Sequence, residues 1–231
     1  MYQALSAQRP DPDAVAAEAK NHGMKWLTAQ AIKDDKLLDR EWLKAMRKAA
    51  THHGLRLGVH GYVGKPAPPK PKLEAKLIAQ AIDIADADFA IVNAEIEYEQ
   101  SSTPDSEVFV DAYRRLKPSF TTYFSSFGRP QFHSGLDWKA WADGGFLAMP
   151  QAYENLNAEK LTPAACVKDY ARFFDKEDIR PTLGCFSEHG KPHLPIARLV
   201  KSVRDVPGMR LNVYRHGTVT KAELEALAKI A

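Results

Sequence analysis

Polar side chains recur at every second position across Asn93-Ala94-Glu95-Ile96-Glu97. In a β-strand alternate side chains share a face. Asn93, Glu95 and Glu97 would then form one polar row, with Ala90, Val92, Ala94 and Ile96 as the apolar set opposite. Two carboxylates at i and i+2 on a strand have α-carbons roughly 6.5–7 Å apart. Such a pair can divide into a protonated acid and an ionised partner, the machinery of glycoside hydrolysis. Glu97 lies nearest the carboxyl end of the run, at the expected functional rim. Glu95 has two readings: it tunes Glu97, or it forms a buried ion pair with Arg56 or Arg210. Glu99 falls in the same register and is expected in the following loop.

Other segments offer partners to this row. Alternation in 55–62 sets Leu55, Leu57 and Val59 against Arg56, Gly58, His60 and Tyr62. Alternation in 209–214 sets Met209, Leu211 and Val213 against Arg210, Asn212 and Tyr214, with His216 continuing the polar register. Met149, Gln151 and Tyr153 form a third inward set, and Thr182, Gly184, Phe186 and Glu188 a fourth. Asn93, His60, Tyr62, Gln151, Tyr153, Tyr214 and His216 are thus candidates to position a substrate. Tyr62, Tyr123, Tyr153, Tyr214, Trp138 and Trp141 would add aromatic surface for sugar rings at the mouth.

Competing chemistries lack parts. His60, Glu95, Glu97 and His216 are metal-ligating types, but the first strand has no His-x-His, so no metal is expected. Ser187-Glu188-His189 are adjacent in sequence and do not make a triad, and no Gly-x-Ser-x-Gly is present. No glycine-rich phosphate turn follows an early strand, and no lysine falls on an inward position for Schiff-base chemistry. No cofactor is expected.

The elements that would hold these residues alternate along the whole chain. Strand patterns fall at 2–7, 25–31, 55–62, 89–97, 119–125, 146–153, 182–187 and 209–214. Helical patterns fall between and after them at 13–22, 38–52, 72–85, 107–116, 138–142, 162–174, 195–203 and 221–230. Eight strands each followed by a helix predict an α/β fold, a single (β/α)8 TIM barrel spanning residues 1–231. Helix-to-strand links are short. Strand-to-helix links such as 63–71, 98–106, 126–137 and 154–161 are long, which puts the functional face at the carboxyl ends of the strands.

Composition removes several function classes. The chain has 231 residues, 45% of them hydrophobic, with a net charge of +3. Its one basic concentration, Lys65, Lys70 and Lys72, is broken by prolines and reads as a solvated loop, not a nucleic-acid surface. No run approaches the length of a membrane span, and the first residues lack a signal-peptide pattern. A soluble protein made in the cytoplasm is expected, one that acts outside the cell where it is carried by a virion. Cys166 and Cys185 read as buried free thiols.

The run Ala94-Glu95-Ile96-Glu97-Tyr98-Glu99 resembles the Asp-x-Glu segment of the lysozyme-like muramidases, the family 25 glycoside hydrolases. The row Asn93, Glu95, Glu97 resembles the strand-four end of chitinase-like family 18 barrels. Met149-Pro150-Gln151-Ala152-Tyr153 looks like a segment of glycosidase-like barrels encoded by actinobacterial phages in tail or lysis proteins. The resemblance implies Glu97 as catalytic acid, Glu95 in an aspartate's place, and polysaccharide or peptidoglycan of the bacterial cell wall as substrate. Other virion or surface-assembly subunits would then be partners. The acid that muramidases carry at the end of strand one has no counterpart in Tyr2–Gln8, so a non-catalytic glycan-binding barrel stands as the alternative. A small-molecule barrel enzyme is the third reading.

Overall fold

The computed structural model describes residues 2–4, 10–33, 35–65, 67–99, 105–156, 160–187 and 192–230. The strands are β1 (Tyr2–Ala4), β2 (Trp26–Lys33), β3 (Lys36–Leu37), β4 (Arg56–Val63), β5 (Phe89–Ala94), β6 (Thr122–Phe127), β7 (Leu147–Ala152), β8 (Thr182–Gly184) and β9 (Asn212–Tyr214). The helices are α1 (Pro12–Asn21), α2 (Arg40–His52), α3 (Pro71–Ala85), α4 (Ile96–Glu99), α5 (Asp105–Leu116), α6 (Trp138–Asp143), α7 (Pro163–Tyr170), α8 (Ile196–Arg204) and α9 (Lys221–Ala228).

The strands form one curled sheet in the order β1-β9-β8-β7-β6-β5-β4-β2-β3. Every pairing is parallel except the short β2–β3 ladder. β1 pairs with β2 from Tyr2↔Leu27 to Ala4↔Ala29, and meets β9 at Tyr2↔Val213. Parallel strands need crossovers, and the helices that supply them bury the outer face of the sheet. In α2 the buried residues Trp42, Leu43, Met46, Ala49 and Ala50 follow helical period. Asp39 caps that helix by accepting from the amides of Glu41 and Trp42. Thr162 before Pro163 caps α7, and Thr220 with Glu223 closes a capping box on α9.

Two cores result. The outer one joins the helices to Leu57, Val59, Ala90, Val92 and Phe124. The inner one fills the curl with Phe89, Ile91, Tyr123 and Met149, against which Trp26 and Leu147 pack. Within it Trp26 and Phe89 lie 4.7 Å apart between ring centroids, and Phe89 meets Tyr123 edge-on at 6.0 Å.

Three expectations change. The strand read as 89–97 ends at Ala94, and the chain winds into α4. The cause is Tyr98: its ring is buried against Phe109 and Trp141, while Ile96 is 43% exposed and not under a helix. A bond from the Tyr98 amide to the Glu95 carbonyl (3.0 Å) closes the turn. Trp138 and Trp141 are not at the mouth. They form the buried face of α6, where Trp141 stacks on Phe124 at 4.4 Å, because Phe124 points outward and needs an aromatic cover. Tyr123 belongs to the inner aromatic layer, not the rim. Of the first strand only Tyr2–Ala4 is described; its expected continuation and the inward residue Glu188, with His189, lie outside the described residues. Cys166 and Cys185 are free and buried. Among the described residues no helix is long and apolar enough to cross a membrane.

Candidate active site

β4, β5 and β7 run parallel and in register, with Tyr62 beside Asn93, and this sets one polar layer at their carboxyl ends. Asn93 and Gln151 are inward and buried. The Asn93 Nδ2 donates to Glu95 Oε1 at 2.9 Å, and Gln151 Nε2 donates to the same oxygen at 2.8 Å. Gln151 also meets Asn93 Oδ1 at 2.9 Å, so the two amides hold each other as well as the acid. Charge-assisted bonds of this kind offset the desolvation of a half-buried carboxylate. The other oxygen of Glu95 takes no hydrogen bond from a described residue. Glu95 therefore rests on amides. The ion pair with Arg56 or Arg210 does not form, because both arginines lie at the opposite end of the strands beside Trp26.

Glu97 sits on α4, off the strand row, and only 9% exposed. The Tyr62 hydroxyl lies 3.1 and 3.3 Å from its two oxygens, and Lys65 Nζ lies 3.4 Å from Oε1. Lys65 also stands 5.0 Å over the Tyr62 ring. The chain passes close here. A Cβ on Gly64, whose φ is +96°, would meet the Glu97 Cβ at 2.8 Å.

A residue outside the sequence expectations supports this corner. Glu74 on α3 is 1% exposed. It accepts from the Gly64 amide at 2.8 Å and from the Tyr98 hydroxyl. Burial pushes its carboxyl above the usual range, and the same burial with the facing acid raises Tyr98. Glu74 thus clamps both segments that flank Glu97. The signal was available: Glu74 sits on the buried stripe with Ile78 and Ile82, where a carboxylate needs a reason.

Tyr153, Phe186 and Tyr214 build an aromatic wall across the mouth. Tyr153 and Tyr214 stack at 5.6 Å, and Phe186 meets them edge-on at 5.1 and 5.5 Å. Gly184 permits this, since a Cβ there would stand 3.1 Å from the Tyr153 ring and 3.0 Å from Phe186. His60 is buried below the mouth, level with Ile91, and burial pushes its pKa down to about 4. It is neutral at neutral pH.

The structure thus gathers Glu95, Asn93 and Gln151, joins Glu97 to Tyr62, and pairs Tyr153 with Tyr214. It does not gather His216. The chain turns outward after β9, and His216 Nδ1 lies 3.0 Å from Glu18 on α1. His60, Glu95, Glu97 and His216 consequently do not form a ligand set. Among the described residues the group close enough to hold an ion is Asp13, His52 and His53, on the outer helices α1 and α2.

No protein-family description and no curated protein sequence matches the chain. Solved structures match by shape. Active domain 2 of the thermostable chitinase of Pyrococcus furiosus, studied as catalytic-site mutants with chito-oligosaccharides, gives a TM-score of 0.65 at 14% identity over 96% of this chain and 90% of that one. The β-mannanase of Thermomonospora fusca gives 0.63 at 9% identity, over 98% and 80%. D-psicose 3-epimerase of Clostridium cellulolyticum H10 gives 0.54 at 11% identity, over 99% and 89%. The chain shares its mixed α/β fold and curled sheet with TIM barrels, among them glycoside hydrolases and sugar epimerases.

Proposed function

We propose that residues 1–231 form one (β/α)8 barrel that hydrolyses glycosidic bonds of bacterial cell-wall or related polysaccharide. β1, paired on both sides, would close the barrel. The observation that carries the reading is Glu95. One of its oxygens is fixed by Asn93 and Gln151, and the other is left for a substrate at the carboxyl end of the strands.

Glu95 and Glu97 are the catalytic pair. Rim position and the family resemblance put the acid at Glu97; the contacts favour the reverse division. Lys65 and Tyr62 occupy the oxygens of Glu97, whereas the outer oxygen of Glu95 is open to meet a leaving oxygen. Asn93 and Gln151 orient Glu95, and Tyr62 orients Glu97. Tyr153 and Tyr214 offer faces and hydroxyls to sugar rings. His60 lies below as a neutral polar support. Delivery by a phage tail or another surface assembly belongs to the same proposal and rests on the Met149–Tyr153 likeness.

A second reading, a barrel that binds glycan without cleaving it, draws on one observation. Both oxygens of Glu97 already face Tyr62, which leaves a single open carboxylate. Turnover of chito-oligosaccharides and peptidoglycan by the wild type, Glu95→Gln and Glu97→Gln separates the two. Hydrolysis lost in Glu95→Gln and reduced in Glu97→Gln supports catalysis with this division. Saturable glycan binding with no hydrolysis in any of the three supports the binding module. Hydrolysis unchanged in both variants sinks the assignment of the acids.

A further inference from the structure

The amino ends of the strands hold a cavity of about 930 Å³. Trp26 and Arg56 open β2 and β4 there, Asn212 opens β9, and Arg180 stands just before β8. The volume falls within the range of small-molecule sites. Its chemistry is one-sided. Lys25, Arg56, Arg180, Arg204 and Arg210 line it, and none of the lining residues is Asp or Glu. The rest of the wall is largely apolar, with Leu183, Val203, Val206, Leu211, Leu227 and Ile230 from β8, α8, α9 and the turns beside them.

Three of the cations converge without a carboxylate. Arg56 lies 4.8 Å over the Trp26 ring and donates to the Asp88 carbonyl at 3.3 Å. Arg180 donates from Nη1 to the Ile179 carbonyl at 2.9 Å, and its buried Nε has no partner. Among the described residues no carboxylate pairs with Arg56, Arg180 or Arg210. Arg180, Arg210 and Arg56 all act on the Tyr123 hydroxyl, lowering its pKa against the larger, opposite effect of burial, while Asp178 outside the lining adds a smaller upward push. That hydroxyl takes no hydrogen bond from a described residue. A phenol and three guanidiniums lining one cavity with a largely apolar wall are complementary to an anionic head on an apolar tail.

We propose that this floor cavity binds an amphipathic organic anion, its carboxylate or phosphate head held by Arg56, Arg180, Arg210 and Tyr123, its tail along α8 and α9. The site is independent of the mouth and of the reading proposed there.

Calorimetric titration of the full chain with decanoate, decyl phosphate and neutral decanol tests it. The expected result is saturable binding of one anion per chain, with decanol weaker by about tenfold or more. Decanoate against decyl phosphate tells which head is preferred. Arg180→Gln with Arg210→Gln should weaken the anions by about tenfold or more and leave decanol unchanged. Ala228→Trp, at an exposed position on the cavity wall, should remove all binding by filling the tail site. Arg210→Gln alone, at an exposed residue, keeps the test valid if the double variant does not fold. Absence of saturable anion binding overturns the proposal. So does equal binding of decanoate and decanol, or anion binding that survives both Arg210→Gln and Ala228→Trp.

Discussion

The two ends of the strand bundle carry opposite chemistry. At the carboxyl ends Glu95 and Glu97 meet amides, a phenol and one lysine. At the amino ends five cations surround an apolar hollow with no acid among its walls. Between them lies the layer of Trp26, Phe89, Ile91, Tyr123 and Met149. Parallel strands make this separation possible. The carboxyl ends of the parallel strands all point one way, so a residue's position along its strand decides which end it serves, and its parity decides whether it faces inward. Arg56 and His60 show the rule within β4. They share a face, yet one belongs to the floor and the other lies under the mouth.

The largest test of this contrast falls on the mouth alone. Glu95→Gln should lower turnover by about 10²–10⁴-fold and leave the thermal midpoint nearly unchanged, as read by steady-state rates and calorimetry. A comparable loss in Arg210→Gln would break the separation of the ends. Next comes the layer between them. Phe89→Ala should destabilise the fold by about 3–5 kcal/mol in denaturant unfolding, because Phe89 is fully buried and packs on both Trp26 and Tyr123. A cost under about 1 kcal/mol would mean the layer is not a packed partition.

A smaller effect belongs to His60. Its folded pKa of about 4 lies below the usual 6.5, so between these values the unfolded chain takes up a proton and the folded chain does not. Stability should therefore fall as pH drops through that window, by up to about 3 kcal/mol, and His60→Gln should flatten the curve there. An unchanged slope in the variant would assign the loss to other groups. The smallest effect is expected at the exposed Lys65. Lys65→Met should change stability by under about 1 kcal/mol. Its effect on rate should stay well below that of Glu97→Gln, since Tyr62 still holds the acid. A larger rate loss would mean that the lysine, not the phenol, sets the state of Glu97.

Much of this layout is legible in the sequence alone. Period-two alternation correctly turned His60, Asn93 and Gln151 inward, because a strand between helices and an inner core repeats faithfully. Cap chemistry at Thr162 and Thr220 is local and was equally readable. The failures share a cause: long-range burial overrode local pattern. Glu97 left the strand row because the Tyr98 ring found Phe109 and, farther along the chain, Trp141. Trp138 and Trp141 turned to the buried face of α6 to cover Phe124. His216 was drawn outward to Glu18, far away in sequence. The floor cavity depends on how α8 and α9 sit against β2 and β4, which no single segment records.

The Glu74 clamp gives the two mouth acids different suspensions. Glu95 hangs from the sheet itself, while Glu97 is slung from a helix through Gly64 and Tyr98. One carboxylate is thus bolted to the frame and the other rides on an adjustable bracket. A lineage that altered the bracket at α3 could respace its acids, and so retune its chemistry, without rebuilding the frame.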